Sequence, residues 1–191
     1  MSRVAVITGV PGSGKSTVVG RALEELRKEG IEYTVVNYGD VMLELMREKE
    51  GITHRDDMRK VPTQRYREIQ REAGRRIAQV AKEKNVLVDT HCLVKKPEGY
   101  YPGLPIWVLE ELKPDLLLIV EAAPEEITRR RVKDADRKRD AEVQLEIEEH
   151  QLLNRATAMA YAALTGAAVK IIQNRDGKLN EAVEEMVSVL R

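Results

Sequence analysis

Short apolar runs alternate along the chain with segments whose apolar residues recur every three or four positions. The runs are rich in Val, Ile and Leu, which is typical of buried strands, whereas the longer spacing is typical of amphipathic helices. The runs predict five strands, over residues 3–8, 33–37, 86–90, 115–120 and 168–173. The periodic segments predict helices over residues 17–29, 41–49, 62–84, 105–112, from 124 onward, 141–165 and 179–190.

The strands are apolar throughout, and helices separate each strand from the next. This pattern indicates a parallel sheet covered by helices on both faces, because a strand buried on both sides has no polar face to show. The sequence therefore predicts an α/β fold with a five-stranded parallel sheet. Ligands of such sheets bind beyond the carboxyl ends of the strands.

A glycine-rich segment lies between the first strand and the first helix. It follows the pattern G-x-x-x-x-G-K-S and consists of Gly9, Val10, Pro11, Gly12, Ser13, Gly14, Lys15, Ser16 and Thr17. Its glycines allow backbone N–H groups to point inward and bind phosphate oxygens at a helix N-terminus. We expect the loop to bind ATP, with Lys15 reaching the β- and γ-phosphates and the Ser16 hydroxyl bound to Mg²⁺. A P-loop protein is predicted.

The charge and cysteine content of the chain indicate which partners and which cell compartment to expect. The 191 residues include 32 Lys and Arg and 32 Asp and Glu, so the formal net charge is zero. A neutral chain gives no electrostatic reason to expect nucleic acid or an anionic membrane as a partner. The single cysteine, Cys92, excludes an intrachain disulfide and suits a reducing compartment. We expect a cytoplasmic protein of one domain, with neither a signal peptide nor a membrane span.

The glycine loop alone does not separate kinases from GTPases and motor ATPases. A guanine-reading N-K-x-D sequence is absent, and the residues after the third strand do not follow the D-x-x-G pattern of a switch loop. Of these classes, a small P-loop kinase is the one that remains. The chemical group that accepts the phosphoryl group determines which residues the acceptor site needs. A hydroxyl acceptor gains from a carboxylate base, whereas a phosphate acceptor needs arginines that neutralise and align it.

Arginines gather between the fourth strand and the long helix that follows. Residues 129–140 contain five Arg and two Lys against three Asp. Because a guanidinium presents a planar fork of donors to phosphate oxygens, the cluster favours a phosphate acceptor. A segment in this position can close over the phosphates as a lid. We expect Arg130, Arg137 and Arg139 to contact the transferring phosphoryl group and to act with Lys15 as catalytic residues.

Polar residues after the second and third strands predict the acceptor and metal sites. Gly39 and Asp40 follow the second strand, Arg59 lies in the connection before the long helix, and His91 follows the third strand. We expect these four residues to bind the acceptor. Asp89 ends the third strand near the glycine loop, and we expect it to hold Mg²⁺ through water together with Ser16.

These features together resemble archaeal-type adenylate kinases over essentially the whole chain. The resemblance rests on residues 9–17, 37–42, 57–60, 88–91, 99–107, 137–140, 148–151, 154–155 and 158–161. It implies the reversible reaction MgATP + AMP ⇌ MgADP + ADP, with Mg²⁺ as cofactor. It also implies a core of residues 1–37, 85–128 and 141–191, a helical AMP-binding insertion near residues 38–70, a short lid near 129–140, and a homotrimer.

Departures from the more common bacterial type leave the acceptor assignments open. Those kinases carry an arginine soon after the G-D dipeptide and a D-G-F-P-R loop after the third strand. Here Glu44 follows the G-D dipeptide closely, and residues 89–92 read D-T-H-C. Two other functions also stay open. One is a small alcohol kinase with Asp40 as its base, and the other is an ATP-dependent RNA-associated factor that binds phosphates with residues 129–139.

Overall fold

The computed structural model describes residues 2–96, 99–133 and 144–191. Its strands are β1 Val4–Thr8, β2 Tyr33–Asn37, β3 Asn85–Asp89, β4 Leu93–Lys96, β5 Gly99–Pro102, β6 Leu116–Glu121 and β7 Ala168–Gln173. Its α-helices are α1 Lys15–Lys28, α2 Tyr38–Glu50, α3 Thr63–Val80, α4 Ile106–Leu112, α5 Pro124–Lys133, α6 Gln144–Thr165 and α7 Leu179–Leu190. A 3₁₀ helix, Arg55–Lys60, lies between α2 and α3.

Five parallel strands form the central sheet in the order β2-β3-β1-β6-β7. The middle strand is β1, whose Val6 stands beside Val88 of β3 on one side and Leu117 of β6 on the other. Every residue of β1 and β6 is buried. Burial on both faces explains why these strands are continuously apolar. The predicted five-stranded parallel sheet is confirmed.

Alternate residues of β1 face two different hydrophobic cores. Val4 and Val6 pack with the buried residues of α2, α3, α4 and α6. Ala5 and Ile7 pack with those of α1 and α7 on the opposite face. The side chains alternate because successive residues of a strand point to opposite sides of the sheet. Helices therefore cover both faces, as predicted.

An antiparallel hairpin of β4 and β5 lies outside the main sheet, and the hydrophobic pattern does not predict it. Its base is attached to α6 by Tyr161, whose hydroxyl donates to the Cys92 carbonyl at 3.0 Å and accepts from the Leu104 N–H at 3.2 Å. The Gly103 N–H also donates to the Cys92 carbonyl, at 2.7 Å. Backbone contacts across the base thus define a hairpin whose strands are too short to show a clear alternation.

The connection from β2 to β3 is helical, consisting of α2, the 3₁₀ helix and α3. Ion pairs join the two α-helices: Arg76 contacts Glu48, and Arg65 contacts Glu50. Because α3 continues to Val80, the predicted end of the insertion near residue 70 falls inside an unbroken helix.

The predicted lid is only partly within the described chain. Residues 129–133 are the end of α5, and residues 134–140 lie outside the described residues. The same is true of residues 141–143, at the start of the last core segment in the predicted division. Among the helices that the structure describes, none is both long enough and apolar enough to cross a bilayer.

Candidate nucleotide-binding site

The glycine loop connects β1 to α1 at the carboxyl edge of the sheet. Gly12 and Gly14 have φ angles of 89° and 81°. This left-handed conformation is unfavourable for residues with a Cβ and readily adopted by glycine. A hydrogen bond of 3.1 Å from the Ser13 N–H to the Val10 carbonyl closes the turn. The loop therefore folds back at the edge of the sheet, as its glycine spacing predicts.

The helix α1 begins where the loop ends. Gly14 is its N-cap, and the Gly14 carbonyl accepts hydrogen bonds from Thr17 and Val18 at 3.1 and 3.2 Å. The N–H groups of Lys15 and Ser16 belong to the first turn, where a helix offers no backbone acceptor. Together with the positive end of the helix dipole, these N–H groups form an anion-binding position.

Close packing holds the first residue of the loop against β6. A Cβ placed on Gly9 would lie 2.6 Å from the Val120 carbonyl oxygen and 2.8 Å from the Ser13 hydroxyl. Ser13 is fully buried beneath this contact. Only glycine allows the loop to approach the neighbouring strand so closely.

Lys15 and Asp89 form an ion pair at the mouth of the loop. Asp89 is the last residue of β3 and stands beside Ile7 of β1, which brings its carboxylate to the start of α1. Their side chains are 15% and 28% exposed, so the pair lies at the edge of solvent. Ser16 follows on the same helical turn and is exposed. The structure thus brings together the predicted phosphate-binding lysine and both predicted metal-binding residues.

Arg131 of α5 contacts the outer side of the loop. Its Nε and Nη2 both donate to the Pro11 carbonyl, at 2.9 and 2.6 Å. Its aliphatic part lies over Gly12, where an added Cβ would be 3.2 Å from Arg131 Cγ and 3.1 Å from Ile127 Cγ2. The helix that carries Arg130, one of the predicted lid arginines, therefore also packs on the glycine loop.

Arg130 binds the next part of the loop and the turn after β7. Its guanidinium donates to the Ser13 carbonyl at 3.3 Å and to the Asn174 carbonyl at 2.9 Å. It also forms an ion pair with Asp176. Arg137 and Arg139 lie outside the described residues, so the grouping of the three lid arginines at the transferring phosphoryl group stays a prediction.

The side chain of Asn174 also belongs to this site, a contact that the sequence does not indicate. Its side-chain Nδ2 donates to the Ser13 carbonyl at 2.8 Å, and its backbone N–H donates to the Glu121 carbonyl at 2.7 Å. The residue is buried, and a Cβ on Gly14 would overlap its amide. Asn174 and Ser13 are 161 positions apart, so only the placement of β7 in the sheet reveals the contact.

A buried carboxylate also lies beside the turn after β7. Glu121 ends β6, is 2% exposed, and forms an ion pair with Arg155 of α6. One carboxylate oxygen accepts from Arg155 Nε at 2.8 Å, and the other accepts from Gln173 Nε2 at 3.1 Å as well as from the guanidinium. Burial of this charge is tolerated because both oxygens are hydrogen-bonded.

Three of the four predicted acceptor residues follow the ends of β2 and β3. Asn37 caps α2, since its side-chain oxygen accepts from the Asp40 N–H at 3.1 Å. The Asp40 carboxylate forms an ion pair with Arg55, a residue that no sequence pattern singled out. Asn37 stands beside Asp89 in the sheet. The acceptor and metal predictions therefore fall on adjacent strand ends.

The other three predicted acceptor residues lie in α2, in the loop between β3 and β4, and in the 3₁₀ helix. Gly39 lies in the first turn of α2, where an added Cβ would be 3.2 Å from the Asn37 oxygen. His91 is exposed on the loop between β3 and β4. Arg59 belongs to the 3₁₀ helix, and its side chain lies outside what the structure describes.

Cys92 lies near these residues without sharing their chemistry. Burial raises the pKa of its thiol to about 11, so the thiol is protonated at neutral pH. A protonated, buried thiol is a poor nucleophile and a poor metal ligand. Its backbone N–H donates to the Thr8 hydroxyl at 3.0 Å, which ties the end of β1 to the loop after β3.

Comparisons with known proteins agree with this geometry. A family model described as an AAA domain matches residues 8–148. The adenylate kinase of Methanopyrus kandleri is 58% identical over 193 residues, covering 100% of this chain and 99% of the relative. The adenylate kinase of Methanocaldococcus jannaschii is 54% identical over 190 residues, with the same coverage. A shikimate kinase structure from Bacteroides thetaiotaomicron shares the fold, with a TM-score of 0.53, 14% identity and 98% coverage of both chains.

The contact between Gly9 and β6 predicts a large effect of one methyl group. Gly9→Ala is expected to push the loop away from Val120 and to lower the free energy of unfolding by about 1–3 kcal/mol. Gly20→Ala, in the exposed part of α1 where an added Cβ meets nothing within 4 Å, is the matched control. It is expected to raise stability by about 0.5–1 kcal/mol. Urea unfolding measures both, and equal stabilities would contradict the assigned contact.

Proposed function

The chain belongs to the adenylate kinase family, and we propose that it transfers a phosphoryl group reversibly from MgATP to AMP, giving MgADP and ADP. The observation that carries this proposal is the match to adenylate kinases over the whole chain. The glycine loop supplies the donor site that such a transfer requires. Transfer is proposed to be direct and in line, because positioning and charge stabilisation account for most of phosphoryl-transfer catalysis.

The glycine loop and the first turn of α1 are proposed to bind the donor phosphates. Backbone N–H groups of residues 12–17 face the phosphate oxygens, while Gly9, Val10 and Pro11 shape the loop that presents them. Lys15 exchanges its contact with Asp89 for one with the β- and γ-phosphates. The neighbourhood of Lys15 supports this role, since its ammonium lies at the loop mouth rather than in the core.

Mg²⁺ is the proposed cofactor, and the residues at the loop mouth fit it. Mg²⁺ binds oxygen ligands, retains several waters, and usually takes only one or two protein groups besides substrate phosphates. The exposed Ser16 hydroxyl and the Asp89 carboxylate are such groups. When bound, the ion neutralises charge on the β- and γ-phosphate oxygens. Ser16 is proposed to bind it directly, and Asp89 to orient one of its waters.

The lid arginines are proposed to act on the transferring group. Arg130, Arg137 and Arg139 together with Lys15 would stabilise the negative charge of the transition state, a contribution of roughly 10³–10⁵ in rate for arginines so placed. Closure of the segment over the phosphates would also exclude water and limit hydrolysis of ATP. The position of α5 against the loop supports this proposal, because it places the start of the segment beside the donor site.

The acceptor is proposed to be AMP, bound at the ends of β2 and β3. Gly39, Asp40, Arg59 and His91 are the proposed contacts, and Arg55 joins them through its ion pair with Asp40. The Asp40 carboxylate is held in an ion pair with Arg55, which argues against its use as the base of an alcohol kinase. The basic side chains of Arg130 and Arg131 face the loop rather than an open surface, which argues against the RNA-associated factor.

We propose that the protein is cytoplasmic and assembles as a homotrimer. Cytoplasmic location is supported by the single, reduced cysteine, and the trimer is implied by the resemblance to archaeal-type adenylate kinases. An exposed apolar face of α6 is a suitable contact surface. Leu145, Leu152 and Met159 are spaced seven residues apart on one side of the helix and are 75%, 64% and 59% exposed. Large apolar side chains exposed in this pattern mark an interface.

The reaction can be tested with a single substrate. Pure protein incubated with Mg²⁺ and ADP alone is expected to produce ATP and AMP in equal amounts, measured by nucleotide chromatography. Lys15→Ala is expected to reduce turnover by at least about 10²-fold, because a donor to the transition-state charge is lost. Lys28→Ala, on the exposed end of the same helix, is the control and should retain activity. Unchanged ADP in the wild type would overturn the proposed function.

The proposed acceptor role can be tested by comparing Arg59 with Lys60, the next residue in the chain. Arg59→Ala is expected to raise KM for AMP roughly 10- to 100-fold, as expected for loss of a charge-assisted hydrogen bond, and to leave KM for ATP nearly unchanged. Lys60→Ala, whose ammonium is exposed and paired with Asp57, should alter neither constant. In parallel, Asp40→Asn should retain phosphoryl transfer to AMP. Equal effects of Arg59→Ala on both substrates would contradict an acceptor role.

The contact surface can be tested by molar mass. Light scattering after size-exclusion chromatography is expected to give the mass of three chains for the wild type and of one chain for a Leu152→Glu, Met159→Glu variant. Burial of two carboxylates against a partner is too costly for the assembly to persist. Val80→Glu, on the partly exposed end of α3, is the control and should remain trimeric. A monomeric wild type, or a trimeric double variant, would reject this surface.

A further inference from the structure

We infer that Arg131 is a positioning residue for the donor site. It binds the Pro11 carbonyl and so fixes the peptide whose other polar group is the Gly12 N–H, one of the groups proposed to bind the donor phosphates. This inference rests on the proposed function and adds to it a cause for the shape of the phosphate loop. The residue that shapes the loop comes from α5, 120 positions away in the sequence.

A trans peptide fixes two groups at once. Its C=O and the N–H of the next residue lie in one plane and point in opposite directions. Every peptide bond among the described residues is trans. A carbonyl that is bound on the outer side of the loop therefore directs the following N–H to the inner side. At the peptide between Pro11 and Gly12 this constraint matters, because glycine accepts φ of either sign and does not resist rotation of the peptide.

Arg131 restrains this peptide with two donors on one oxygen. Its Nε and Nη2 reach the Pro11 carbonyl at 2.9 and 2.6 Å, and a charged donor roughly doubles the strength of a hydrogen bond. The helix that carries it is itself anchored. Ile127, one turn earlier, is fully buried in a small core with Val10, Ala122 and Ile147. The guanidinium therefore projects from a fixed point.

The same geometry repeats at the peptide between Ser13 and Gly14. Asn174 Nδ2 donates to the Ser13 carbonyl at 2.8 Å, and Arg130 donates to it at 3.3 Å. The Gly14 N–H is thereby directed inward, next to the first turn of α1. Side chains from α5 and from the turn after β7 thus hold two outer carbonyls, and the two glycines with positive φ each follow a restrained carbonyl.

Inorganic tripolyphosphate lacks the nucleoside, so its binding reports on the phosphate loop alone. Calorimetric titration is expected to show that Arg131→Ala weakens binding of tripolyphosphate and of ATP by the same factor, roughly 10- to 100-fold, because two charge-assisted hydrogen bonds to the loop are lost. KM for AMP should not change. Arg131→Lys, which retains the charge but not the paired donors, should bind with intermediate affinity. Arg129→Ala, which removes the same charge from an exposed arginine paired with Asp176, should bind like the wild type.

The NMR signal of the Gly12 amide distinguishes two roles for Arg131: positioning the loop, or contacting the phosphates directly. In ligand-free, ¹⁵N-labelled protein, Arg131→Ala should broaden or shift the Gly12 N–H resonance while the thermal midpoint shows a folded chain. Arg131→Lys provides the same readout if the alanine variant does not fold. Weakened binding with an unchanged Gly12 resonance would mean that Arg131 acts on the ligand, and unchanged binding would also overturn the inference. Failure of the wild type to bind ATP would instead reject the proposed donor site.

Discussion

A parallel sheet with β1 in its middle is the constraint on which the site depends. Parallel strands place all their carboxyl ends at one edge, and there the glycine loop, Asp89, Asn37 and Glu121 meet. Each group comes from a different part of the chain, and an antiparallel arrangement of the same strands would put the ends of neighbouring strands at opposite edges. Because β3 lies directly beside β1 in this sheet, Lys15 after β1 is within reach of Asp89 at the end of β3.

Much of the fold follows from local sequence patterns. The five core strands lie within about a residue or two of their predicted limits, because apolar runs and helical periodicity are properties of neighbouring residues. The glycine loop was predictable for a similar reason, since its φ angles and its helix N-terminus are encoded within nine residues. The hairpin of β4 and β5 was not, because its strands are short and its position depends on Tyr161 from another helix.

The unpredicted part of the site consists of contacts between distant segments. Arg131 lies in the arginine-rich segment 129–140 and Asn174 in the turn after the last strand, but the sequence does not indicate the contacts that these side chains or Arg55 make. Their roles appear only when β7 is placed beside β6, α5 above the loop, and the 3₁₀ helix beside α2. The glycine motif thus specifies a loop that is able to bind phosphate, while remote side chains specify which of its conformations is populated.

The ion pair of Lys15 with Asp89 has a consequence for selectivity. The Asp89 carboxylate already compensates the positive charge of the Lys15 ammonium. A small anion that bound Lys15 would have to replace this contact with Asp89, and the lost attraction offsets part of the free energy it gains. A polyphosphate that carries a divalent cation, as proposed for MgATP, would provide a partner for both residues. If Asp89 holds Mg²⁺ as proposed, chloride and free phosphate would therefore be weak competitors for a site that binds anion and metal together.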